Sequence, residues 1–100
     1  SIGLTPGVVR SRAIHRPFSQ PVFLIGADAL SRQWLVEHRD RLKSMGAVGM
    51  LVRADTLDDL RTIAQLAGGL AILPASATDI AKALGIRHYP VLISSHGIEQ

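Results

Sequence analysis

The chain has 100 residues, 47% of them hydrophobic and 19% charged, with no cysteine and a formal net charge of +3. These values describe one domain able to build its own core, and they exclude disorder, disulfides, thiolate metal sites and cysteine nucleophiles. The pI of about 10.2 invites a nucleic-acid reading, but residues 1–50 carry seven Lys/Arg against three Asp/Glu and residues 51–100 four against five, with no basic run. No apolar stretch approaches the length of a membrane span. Residues 1–20, with Gly3, Pro6, Gly7 and Pro17 among Arg10, Arg12 and Arg16, hold neither a 2- nor a 3.6-residue period and read as an extended arm or linker. The chain begins at Ser1, and a processed or truncated product is expected.

From Pro21 the pattern changes to a domain over residues 21–100. Val22-Phe23-Leu24-Ile25 is a short continuous apolar run, expected as a strand buried on both faces. Leu30, Trp34, Leu35, His38, Leu42 and Met45 then recur at helical spacing and predict a helix over roughly 29–45. Asp28 or Ser31 can cap it and Gly46 can end it. Val48 to Val52 reads as a second strand. Thr56 with Asp59 resembles a capping box opening a second helix, which Gly68-Gly69 stops. Leu70 to Leu73 is a third strand, Ser76 or Thr78 caps a brief helix ending at Gly85, Val91 to Ile93 is a fourth strand, and Ser94 to Gly97 turns into a last one. The alternation predicts an α/β domain with a mostly parallel sheet flanked by helices and a C-terminal antiparallel hairpin.

The stretch from Asp79 to Glu99 is the most informative. It runs from a short helix through Gly85-Ile86 and Tyr89-Pro90 to an apolar strand and a glycine-containing hairpin. That order resembles the thioredoxin fold, and the resemblance covers residues 21–100. It implies a cis peptide bond before Pro90, with the Tyr89 backbone free to face a bound peptide. The redox pair of such folds would fall around Gly26 to Ser31, where this chain has no thiol, so disulfide exchange is excluded. The docking half of the fold is what can persist, and Tyr89, Pro90, Asp28 and Leu30 are its candidate residues.

A closer resemblance covers nearly the whole chain. Gly3 to Gly7, Pro21 to Gly26, Asp28 to Ser31, Gly46 to Gly49 and His88 to Ser94 with Gly97 to Gln100 are similar to a family of proteins of unknown function from integrating conjugative elements. That family in turn resembles the TrbC pilin-assembly proteins. The resemblance implies an exported, periplasmic, non-catalytic accessory of a conjugative type IV secretion system, with other proteins of the apparatus as partners and no cofactor. The alternative is a nucleic-acid-binding accessory of a mobile element, against which the scattered basic charge argues.

Other chemistry-bearing residues have plainer readings. His88 and His96 flank the last long strand without a third metal ligand, His38 reads as a half-buried packing residue and His15 has no partner by spacing. Ser94-Ser95-His96 lacks the elbow a nucleophilic serine needs. Asp28, Asp55, Asp58 and Asp59 would gather at strand ends, yet helix starts account for them. Arg10, Arg12 and Arg16 read as solvated linker charges.

Overall fold

The computed structural model describes residues 3–14 and 19–100; His15 and Arg16 lie outside them. In chain order the elements are β1 (Thr5–Pro6), β2 (Val22–Gly26), α1 (Ala29–Ser44), β3 (Val48–Arg53), α2 (Leu57–Ala67), β4 (Ile72–Pro74), α3 (Thr78–Leu84), β5 (His88–Tyr89), β6 (Val91–Ser94) and β7 (Gly97–Glu99). Five strands form one sheet in the order β4-β3-β2-β6-β7, and β1 pairs with β5 in a separate ladder. The chain is thus an α/β fold, but the sheet is mixed where a mostly parallel one was expected. β4, β3 and β2 run parallel, whereas β6 is antiparallel to both β2 and β7.

At 1.5 Å per residue, α1 and α2 reach about 24 and 16 Å, enough to carry the chain back along a strand of five or six residues. After the seven residues of α3 the chain re-enters the sheet at the end where β2 finishes, and β6 runs antiparallel to β2.

Alternation along the strands divides the core in two. Phe23, Ile25, Leu51 and Leu92 face α1 and α2, packing against Trp34, Leu35, Leu42, Ile63 and Ala67. Leu24, Val52, Val91 and Ile93 face the other way, against Ala77, Ala81 and Leu84 of α3 and Leu4 of the arm. β2 is buried on both faces, as its unbroken apolar run predicts.

The helix ends follow local chemistry. Asp28 caps α1 through the Ser31 amide, and Thr56 and Asp59 form a reciprocal capping box on α2. Helix α3 starts after Ala77, which makes no side-chain cap bond, although the Ser76 hydroxyl accepts from the Thr78 amide at 3.4 Å. Gly68 and Gly85 close α2 and α3 in the left-handed conformation.

Residues 3–14 lie along the domain. The Thr5 amide donates to the Arg87 carbonyl at 3.1 Å and the Gly7 amide to the Tyr89 carbonyl at 3.0 Å. Further on, Arg12 and Ile98 exchange both main-chain bonds, at 3.0 and 2.8 Å. The Gln100 side chain ties these contacts together, donating to the carbonyls of Gly7 at 2.7 Å and Pro90 at 2.9 Å.

Candidate functional site

A cleft of about 370 Å³ opens where β2 and β3 end, with Asp28, Arg53, Asp55, Asp59 and Tyr89 on its walls and Thr5–Pro6 at its rim. The parallel ladder between β2 and β3 shifts register between Ile25 and Gly26, and pairing resumes with Gly26 opposite Arg53. The Gly26 amide turns to the Ser31 hydroxyl at 3.0 Å, and that hydroxyl donates to Asp28 Oδ1 at 2.7 Å. Asp28 Oδ2 accepts from the Ser31 amide at 3.0 Å. This closed set of bonds fixes the turn between β2 and α1 and accounts for a serine with no exposed surface.

Tyr89 forms the floor of the cleft and is 2% exposed. Its ring lies over Gly26 so closely that a Cβ there would stand 2.5 Å from the ring edge, so only glycine fits. Burial pushes the phenol above its ordinary pKa, with the Asp28 carboxylate adding to the effect, Arg53 opposing it and Asp55 adding a smaller contribution. The Tyr89-Pro90 peptide bond is cis. Pro90 is fully buried and reaches the surroundings through its carbonyl, which Gln100 holds.

The acidic residues around the cleft each have a partner. Asp59 accepts from the amides of Asp55 and Thr56 and pairs with Arg32 at 3.3 Å, while Asp55 pairs with Arg53 at 3.3 Å. Arg32 also donates to the Ala27 carbonyl at 2.7 Å and so joins the β2–α1 turn to the start of α2. Thr56, not Asp55, caps α2. The result is a cleft whose charged side chains are paired or hydrogen-bonded and whose remaining wall is formed by Leu4, Pro6, Ala27 and the Tyr89 ring. Among the described residues no group of three or more His, Cys, Asp or Glu is placed to hold a metal ion.

Of the four candidate docking residues, the structure brings Asp28 and Tyr89 into this cleft with Pro90 beneath. Leu30 is elsewhere: 41% exposed, it lines a different cleft beside Trp34 and Gln100. The helical stripe is rotated accordingly. Ser31, at spacings of four and eleven from Leu35 and Leu42, takes the buried position that Leu30 vacates. Gln100 and the segment from Thr5 to Gly7 carry no sequence signal of their role, because the contacts between arm and domain join residues more than eighty apart.

The histidines do not meet. The His88 ring nitrogen Nδ1 lies 3.1 Å from the Thr5 hydroxyl, and His38 packs its ring against Trp34 at 5.1 Å, half-buried as its place on the stripe suggests. Ser94 is 3% exposed, and its hydroxyl accepts from the His96 amide, which makes it a turn residue. Among the described residues no helix is long and apolar enough to cross a membrane.

Comparison with curated proteins and with solved structures gives no match. A family profile described as a protein of unknown function, DUF2859, matches residues 1–98. The chain belongs to the DUF2859 family.

Proposed function

We propose that this chain is a non-catalytic protein-docking accessory of a conjugative type IV secretion system, exported to the periplasm and built on a thioredoxin-like arrangement. The strand order β3-β2-β6-β7, with α1 leaving the end of β2 and a cis proline ahead of an antiparallel β6, supports the thioredoxin-like reading. The conjugative context rests on the sequence resemblance alone.

One observation carries the docking part: β5 already holds an extended segment, Thr5–Pro6, by main-chain bonds to Arg87 and Tyr89. Strand addition uses this geometry, main-chain bonds giving affinity and neighbouring side-chain clefts giving selectivity. Because the arm occupies the edge, a partner's segment docks beside it, in the cleft over Tyr89 and Asp28. The absence of cysteine leaves that surface with binding and no thiol chemistry.

Photo-crosslinking from Asp55, at the cleft, in cells carrying the intact element tests this. The expected adduct contains an exported component of the transfer apparatus and disappears in the Tyr89→Ala variant, whose folding is checked by thermal melting. The absence of any adduct, with normal DNA transfer in a strain lacking the protein, overturns the reading.

A further inference from the structure

Eight arginines lie among the described residues. Carboxylates hold four of them: Asp59 pairs with Arg32, Glu99 with Arg41, Asp55 with Arg53 and Asp58 with Arg61. Arg39 donates to the Leu66 carbonyl. The side chains of the remaining three, Arg10, Arg12 and Arg87, have no hydrogen-bonding or carboxylate partner among the described residues, and all three line one cleft of about 220 Å³.

The cleft lies between arm residues 8–12 and the turn that links α3 to β5. Two features hold the arginines there. The Arg12 backbone exchanges both main-chain bonds with Ile98, and its guanidinium lies over the Gly85 turn, 3.6 Å from where a Cβ on that glycine would stand. Arg87 lends its carbonyl to Thr5 and so stands at the foot of the arm ladder. No carboxylate lines the cleft. Its floor is apolar, from Ile86 and Ile98, and Val8 at its rim is 80% exposed. Three like charges gathered without a counter-charge repel one another, and an anionic ligand relieves that repulsion.

We propose that this cleft binds an acidic segment of a partner protein, carboxylate side chains forking onto Arg10, Arg12 and Arg87 while an apolar side chain covers Val8. Planar guanidinium groups match carboxylates in this way. The lining favours a peptide over nucleic acid: its one ring, His88, is turned to Thr5 through Nδ1, and it is a short cleft, not a basic stripe that follows a phosphate backbone. The site is separate from the Tyr89 cleft.

The test uses the full chain and a fluorescein-labelled peptide of alternating Glu and Leu, read by fluorescence anisotropy. Binding is expected to saturate and to weaken as salt rises, because the arginines are exposed. Single Arg→Gln changes at positions 10, 12 and 87 are each expected to weaken it roughly two- to fivefold, and the combined R10E, R12E and R87E variant about tenfold or more. Arg61→Glu leaves it unchanged. Thermal melting verifies each fold, and the single variants carry the test where the triple variant melts. No saturable binding, equal binding to the variants, or tighter binding of a single-stranded oligonucleotide of equal charge overturns the proposal.

Discussion

Tyr89 concentrates most of what is unusual at the scale of single residues. It is the chain's one tyrosine, so its titration can be followed by tyrosinate absorbance without interference from a second phenol. Burial, with help from Asp28, holds its pKa above the ordinary value. Below about pH 10 both the folded and the unfolded chain keep the phenolic proton. Above that, the unfolded chain loses it first, so the stabilisation is present at neutral pH and falls as pH rises towards the raised folded value. The expected outcome is a titration midpoint above that of the urea-unfolded chain, with stability declining over the same interval. A midpoint equal to the unfolded one would mean that the phenol is more hydrated than its 2% exposure suggests. Ser31 shows where residue-level reading fell short. As a candidate cap it was legible, but Asp28 does the capping and Ser31 sits on the buried stripe with its hydroxyl satisfied at both ends. Apolar periodicity passes over a polar residue, although the spacing to Leu35 and Leu42 was there to be read.

Elements whose determinants are local follow the sequence closely. The capping box at Thr56 and Asp59 and the glycine stops at Gly68 and Gly85 stand where residue chemistry puts them. Removing the Thr56 hydroxyl takes away the acceptor for the Asp59 amide. Thr56→Ala is accordingly expected to lower stability by about 1 kcal/mol in urea denaturation, with an unchanged dependence on denaturant. Strand direction is another matter. Periodicity tells a strand from a helix but not which neighbour a strand takes or in which direction it runs. The ladder between β1 and β5 was equally hidden, since two residues next to glycines and prolines carry no strand pattern. Its partners are brought together only once α3 and the turn after it are packed.

For the whole molecule, the arm is the contribution that composition conceals. Leu4 is 6% exposed and belongs to the same apolar cluster as Leu24, Tyr89 and Ile98, so the face of the sheet opposite α1 and α2 is covered jointly by α3 and the arm. Leu4→Ala is expected to cost about 2–3 kcal/mol, and to speed hydrogen exchange of the Thr5 and Gly7 amides well beyond that of amides in β2. Slow exchange at Gly7 in the variant would show that main-chain bonds and Gln100 hold the arm without Leu4. Part of the basic charge also takes on a location: among the described residues, the three arginines whose side chains have no partner share one cleft at the arm, while the paired ones lie elsewhere.

Gln100 joins Gly7 to Pro90 by two short bonds, and the arm it holds borders both clefts. The arm that presents Arg10 and Arg12 on one side supplies the Thr5–Pro6 rim over Tyr89 on the other. Any ligand that binds only the seated arm adds its binding free energy to the seating. Ligands in the two clefts would then raise each other's affinity by the same factor to the extent that the free arm unseats, because both draw on one seating equilibrium.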